Sequence, residues 1–243
     1  ANYGVSICFS GGTSSGKTTD IAFLLSNIQP NKRIVTIEET PELIGLERTD
    51  GKGNVENRII QFITREHPTD ELNIDMNDIL RFSLRQNPDV LVPSEMRGAE
   101  ALAAQEAAHT GHTVITSLHA NNARETHGRI LTMCRMSGTL LSDDLLSMLI
   151  AEAFPVIVFK KQMADNSRKI MEIVEVAWEG GKVQYTTLFK YTVWENVTDE
   201  NGRTVRVTGK HEKHGRISDK LLQRMLENGA PGMLIQKIGG APD

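Results

Sequence analysis

The residues with the clearest chemistry lie near the start of the chain: Gly11-Gly12-Thr13-Ser14-Ser15-Gly16-Lys17-Thr18, followed by Thr19. The spacing fits G-x-x-x-x-G-K-[ST], a loop that cradles phosphate. Its glycines let successive backbone N–H groups curl inward around an anion. Lys17 can reach the outer phosphates of a nucleotide, and the Thr18 hydroxyl can ligate Mg²⁺. A helix beginning at the loop adds the positive end of its dipole. Nucleotide binding is thus the first expectation.

Other chemistry-bearing residues stand at strand exits. Glu38-Glu39-Thr40-Pro41-Glu42 follows the apolar run Ile34 to Ile37. Carboxylates there can hold Mg²⁺ or orient water, or they form a solvated acidic turn. Arg65 follows the run Asn57 to Thr64 and is either a surface arginine or a neutralising charge for phosphate, in its own site or a neighbour's. Glu95 lies just past Val90 to Val92. It can polarise the attacking water, or serve the dipole of the next helix. His119 follows Val114 to Ser117 and is placed to meet a terminal phosphate, with a structural histidine as the alternative. His112, at the other end of that strand, reads as structural or interfacial.

The elements that must position these residues follow from periodicity. Val5 to Phe9 reads as a strand before the loop, and Thr19 to Ser26 as the helix after it. Residues 45–58 read as a surface loop. Asp75 to Gln86 is an amphipathic helix with Asp75 as N-cap and Pro88 beyond its end. Ala99 to His109 is an Ala-rich helix stopped at Gly111. Asn122 opens a helix carrying Ile130, Leu131 and Met133, and Leu140 to Ala153 gives another. Strands then follow one another. Phe154 to Lys160 and Lys169 to Trp178 flank a hairpin turn at residues 164–167, and Val183 to Tyr191 and Arg203 to Thr208 flank a turn at residues 199–202. Ser218 to Asn228 reads as a capped helix stopped by Gly229. The alternation of strand and helix gives way to hairpins near residue 154. We therefore expect an α/β fold with a mostly parallel central sheet over residues 1–153 and an antiparallel hairpin and helical extension over 154–243.

Composition sets wide bounds. The chain has 243 residues, a formal net charge of −4 and two cysteines. Two cysteines are too few for a zinc module or disulfide framework and suit a reducing, cytoplasmic compartment. No apolar run approaches the roughly 20 residues of a membrane span. No signal-peptide pattern opens the chain. The acidic balance argues against a protein whose main task is gripping nucleic acid. Ala1 lies a few residues before the first core strand, with no initiator Met, which reads as part of a longer protein.

Four motifs in order resemble the type II/type IV secretion ATPase family, which also drives pilus assembly and conjugation. These are the phosphate loop at Gly11 to Thr18, an "Asp box" at Thr36 to Leu43, a Walker B segment at Leu84 to Gly98, and a "His box" of Thr110-Gly111-His112 with Leu118 to Asn121. Ser167 to Glu175 is similar to the strand after the C-terminal hairpin turn, particularly in the CpaF-like branch. The resemblance covers about residues 3–195. It implies a RecA-like P-loop NTPase hydrolysing ATP with Mg²⁺, with Thr18 and Glu39 toward the metal. Glu95 would be the catalytic carboxylate, Glu38 its partner in positioning Mg²⁺ or water, His119 would face the γ-phosphate, and Arg65 would neutralise charge. It further implies a homo-oligomeric ring, a hexamer, working on inner-membrane secretion or pilus platform proteins from the cytoplasmic side, with no direct nucleic-acid partner. The sequence departs from the family pattern at Glu39, where the family has Asp, and at Pro93-Ser94 before the catalytic Glu. The resemblance also leads us to expect that the family's N-terminal domain lies outside these 243 residues. Two other readings remain open on the residues: a RecA-like motor acting directly on DNA, and a nucleotide-binding scaffold with negligible hydrolysis.

Overall fold

The computed structural model describes residues 1–239. Strands β1 (Ile7–Gly11), β2 (Arg33–Glu38), β3 (Arg58–Ile63), β4 (Val90–Pro93), β5 (Thr113–Leu118) and β6 (Val156–Gln162) alternate with helices α1 (Lys17–Ser26), α2 (Met76–Ser83), α3 (Glu100–His109), α4 (Ala123–Met136) and α5 (Asp143–Ala153). Strands β7 (Arg168–Glu179), β8 (Lys182–Thr198) and β9 (Thr204–Lys213) follow, then α6 (Asp219–Glu227) and α7 (Gly232–Gly239). The strands form one nine-stranded sheet in the order β3-β2-β4-β5-β1-β6-β7-β8-β9. The neighbours from β3 to β6 pair parallel, and those from β6 to β9 pair antiparallel. The sheet is mostly parallel through the region of alternation, as the sequence predicts, and runs unbroken into the hairpins.

The parallel strands are buried on both faces, so they read as continuous apolar runs rather than alternating ones. Neighbouring residues still serve opposite layers. Cys8, Val35, Leu91 and Val114 pack with α2 to α5 on one face. Phe9, Ile34, Val90, Val92 and Ile115 pack around Ile21 and Leu25 of α1 on the other. A single helix thus covers the face from which the phosphate loop rises.

Local chemistry fixes the helix starts. The Asp75 carboxylate accepts from Asp78 N at 2.9 Å while Asp78 accepts from Asp75 N, a reciprocal box that opens α2. Asn122, Ser142 and Ser218 cap α4, α5 and α6, each accepting through its side chain from a backbone N–H three residues on. The expected helix to Gln86 is α for residues 76–83 and tightens to a 3₁₀ turn over 84–86, ending at Asn87 with φ +50° ahead of Pro88. Strands β8 and β9 run further than Val183–Tyr191 and Arg203–Thr208, to Thr198 and Lys213, because each continues pairing with the other past the expected ends. Helix α7 was not anticipated from the sequence; the last residues of the expected extension, 240–243, lie outside the described residues. Among the described residues no helix is long and apolar enough to cross a membrane.

Candidate active site

Because β2, β4, β5, β1 and β6 are adjacent and parallel, their carboxyl ends open on one rim of the sheet. A cavity of about 570 Å³ lies there, lined by residues from Thr13 to Thr19 together with Glu39, Glu42, Ser94, Glu95, Ser117, His119 and Arg168. Six chain segments far apart in sequence meet at it, Met76 of α2 among them.

The loop is shaped by two glycines. Gly11 has φ +149°, and a β-carbon there would fall 2.2 Å from the Lys160 carbonyl oxygen of the adjoining strand. Gly16 has φ +85° and is the residue before α1. No side chain caps α1. The unpaired donors of its first turn and its positive dipole end face the cavity, an arrangement suited to an anion. Ser15 Oγ is buried there without a hydrogen-bond partner. The Lys17 ammonium is buried against the loop and donates to the carbonyls of Gly11 and Gly12, each at 3.1 Å. Burial holds its pKa below the ordinary lysine value, with the negative charges of Glu95 and Glu42 opposing the shift.

The carboxylate and the imidazole named from the sequence converge on this loop. Glu95 Oε1 lies 2.8 Å from His119 Nε2, a close contact that is not aligned as a hydrogen bond. His119 Nδ1 stands 3.1 Å from the Gly11 carbonyl oxygen. Glu95 Oε2 accepts from Arg97 Nη2 at 2.7 Å, and Arg97 Nη1 reaches Glu39 Oε2 at 2.6 Å. Arg97 therefore ties both carboxylates together, and its own pKa is raised by Glu95 first and Glu39 after. The exit of β4 is braced on both sides. Ser94 N donates to Ile37 O at 2.9 Å, and Ser117 Oγ donates to Ser94 O at 2.8 Å. Glu95 is not the carboxylate that serves helix α3. That is Glu100, whose Oε1 accepts from the N–H groups of Arg97 and Gly98. The dipole-cap reading of Glu95 therefore loses its basis.

Two candidates are not brought to the cavity. Glu38 is completely buried, and its Oε2 accepts from Glu42 N at 2.8 Å and Leu43 N at 2.9 Å. Its carboxylate folds the acidic loop back on β2, and this leaves Glu39 and Glu42 facing the cavity. Arg65 is spent on the Leu72 carbonyl, with Nη2 at 2.7 Å and Nε at 3.0 Å, at the far side of β3 from the loop. Both follow from chain geometry: β2 lies inside the sheet and is buried through to Glu38, and β3 is the edge strand. His112 Nδ1 stands 3.1 Å from the Ala107 carbonyl oxygen, at the end of α3.

Sequence reasoning missed Arg97, Lys160 and Arg168. Lys160 is buried at the end of β6, where it donates to Gly16 O at 2.8 Å and pairs with Asp20 Oδ2 at 2.6 Å. A lysine ending an apolar strand that must lie beside β1 was the available signal. Arg168 had none, because its place depends on how two strands register.

Glu39 and the Thr18 hydroxyl line the same wall as Lys17, and oxygen donors of this kind suit Mg²⁺. Among the described residues no group of three or more His, Cys, Asp or Glu side chains forms a metal cage, so a divalent ion here would share its coordination with phosphate oxygens and water.

Residues 2–218 match the model of the family described as type II/IV secretion system protein. A putative conjugal transfer protein of Mycobacterium tuberculosis is 28% identical over 181 residues, covering 74% of this chain and 48% of that one. The crystal structure of the VirB11 ATPase from the Brucella suis type IV secretion system, in complex with sulphate, superposes with a TM-score of 0.59 at 27% identity over 70% of this chain and 47% of that chain. The pilus retraction motor PilT with bound ADP gives a TM-score of 0.51 at 26% identity over 76% of this chain and 47% of that one. The chain spans about half the length of the conjugal transfer relatives it matches and under a quarter of several others.

Proposed function

This chain belongs to the type II/IV secretion system protein family, and on that premise we propose that it is the ATP-hydrolysing core of a motor subunit that powers a secretion, pilus-assembly or conjugation apparatus. The observation that carries the reading is the convergence of Glu95 from β4 and His119 from β5 on the loop that holds Lys17, across 2.8 Å of each other. A phosphate loop alone would suit any nucleotide-binding protein. A carboxylate and an imidazole at its mouth suit attack of water on a terminal phosphate.

In this reading the backbone donors of residues 13–18 and the Lys17 ammonium hold the triphosphate. To do so Lys17 exchanges the carbonyls of Gly11 and Gly12 for phosphate oxygens. Thr18 and Glu39 would hold Mg²⁺, which would supply charge neutralisation at the phosphates. Glu95 takes the role of orienting water once Arg97 yields its carboxylate. His119 bridges Glu95 and the Gly11 carbonyl, so a change at the terminal phosphate is felt by the loop and by β5 together. The family premise and the VirB11 and PilT likenesses support a homo-oligomeric ring acting with inner-membrane platform proteins from the cytoplasmic side.

The test is phosphate release from Mg·ATP by the full-length protein. Glu95→Gln keeps nucleotide binding and lowers turnover by about 10²–10⁴. Lys17→Ala loses nucleotide affinity. Equal turnover in Glu95→Gln removes Glu95 from its role, and unchanged nucleotide binding in Lys17→Ala removes the loop from its own. Bound nucleotide with no measurable release in the wild-type protein selects the scaffold reading instead.

A further inference from the structure

The outer side of the phosphate loop is covered by two cations from the β6–β7 hairpin. Lys160 Nζ and Arg168 Cδ would stand 3.2 and 3.0 Å from a β-carbon built on Gly16. Arg168 Nε donates to Ser14 O at 2.8 Å. Ser14 is itself left-handed at φ +60°, the one non-glycine of the loop with positive φ. That conformation is uncommon for serine and needs support from its surroundings. Arg168 lines the cavity beside Lys17 and Thr18.

Strand register is what puts it there. Pairing along β6 and β7 runs Val158↔Ile173 and Phe159↔Glu172, then Lys160↔Ile170 and Gln162↔Arg168. Met171 is the extra residue of a β-bulge. A bulge reverses which residues face each side of the sheet beyond it. Without it, Lys169 would share a face with Ile173 and Lys160. With it, Arg168 takes the loop face, and Lys169 lies 5.6 Å from the centre of the Tyr191 ring. The hairpin is also anchored beyond its tip. The Asp165 carboxylate accepts from Ser167 N at 2.9 Å, Ser167 Oγ at 2.6 Å and Val207 N of β9 at 2.7 Å.

We propose that Arg168 is a polyphosphate-contacting residue of the nucleotide site, a guanidinium supplied in cis by the hairpin, with Lys160 as the positioning residue that fixes the loop beneath it. The Nε–H bond to Ser14 O sets the plane of the group at the cavity wall. Its Nη1 and Nη2 groups then present a fork matched to two non-bridging phosphate oxygens. The role of Lys160 is different. It is buried, is bonded to Gly16 O and Asp20, and holds the αL turn at Gly16 rather than touching phosphate. This inference rests on the nucleotide-binding reading above.

The experiment is calorimetric titration of the full-length protein with ADP and, separately, with inorganic tripolyphosphate. Arg168→Ala and Arg168→Gln weaken both ligands by about ten- to a hundredfold, the range of one charge-assisted hydrogen bond, and Arg168→Lys falls between them and wild type. Lys169→Ala removes the same charge one residue away and leaves both affinities within twofold. Melting temperatures without ligand show that each variant is folded, as the exposed position of Arg168 leads one to expect. Affinities for Arg168→Ala within twofold of wild type overturn the proposal. So does equal weakening by Lys169→Ala, which would make the effect one of general charge. Wild-type protein that binds neither ligand fails the nucleotide reading itself, and this inference falls with it.

Discussion

Replacing Gly11 by alanine tests the joint between the phosphate loop and the sheet. The added β-carbon falls 2.2 Å from the Lys160 carbonyl oxygen and 2.9 Å from Ser15 Oγ. That is about 1 Å inside ordinary contact with a backbone atom, not with the end of a flexible side chain. Gly11 and Lys160 are register partners, so relief requires β1 and β6 to part at their ends. Overpacking of this kind costs about 1–3 kcal/mol. The φ of +149° adds strain for an L side chain, worth roughly another 1–3 kcal/mol. Gly11→Ala is thus expected to lower unfolding stability by about 2–6 kcal/mol, a large part of the roughly 5–15 typical of a domain. The neighbouring Gly12→Ala is the control, since a β-carbon there meets nothing within 4 Å, and its effect stays within about 0.5 kcal/mol. Urea unfolding followed by circular dichroism reads both. Because the Gly11 carbonyl accepts from Lys17 and stands beside His119, Gly11→Ala also weakens ADP binding. Matching urea midpoints for the two variants would refute the packing argument.

Lys160→Met leaves the Gly16 carbonyl without its side-chain donor and Asp20 without its partner. Asp20 is about a third exposed and can turn to water, so the expected loss is about 2–4 kcal/mol rather than the 3–5 of a fully buried pair; a urea midpoint shift near zero contradicts the bond. Burial holds the His127 imidazole below its ordinary value of 6.5. The unfolded chain then takes up a proton that the folded one resists, so stability falls as pH drops below about 6.5. Unfolding midpoints compared near pH 7.5 and pH 5.5 should fall less in His127→Gln than in wild type; equal slopes exclude His127 as the source. Cys8 and Cys134 are both free and buried, and burial first, then Glu106, pushes the Cys134 thiol up to about 12. A thiol-reactive dye is therefore expected to label neither residue in the native protein and both in urea, and native-state labelling at wild-type rates of a free thiol would contradict that burial.

What the sequence determined by itself was everything written in short range. The phosphate loop, the caps at Asp75, Asn122 and Ser218, and the stop at Gly111 each depend on backbone and side chains within a few residues. The alternation of apolar runs with helices was enough to place Glu95 and His119 at strand exits, and parallel strands always expose such exits on one rim. Tertiary structure decided the rest. The sequence could not say that Glu38 is buried while Glu39 faces the cavity, because that depends on the loop beyond β2 folding back so that its N–H groups meet the Glu38 carboxylate. It left Arg65 as a surface arginine or a neutralising charge for its own site or a neighbour's, and the strand order puts β3 at the sheet edge, away from this chain's own loop. Arg168 reaches Ser14 across 154 positions of chain, through a bulge that no local pattern announces. Side-chain facing in a sheet has a period of two, so one unpaired residue at Met171 exchanges Arg168 for Lys169, and only the pairing of whole strands fixes where that residue falls.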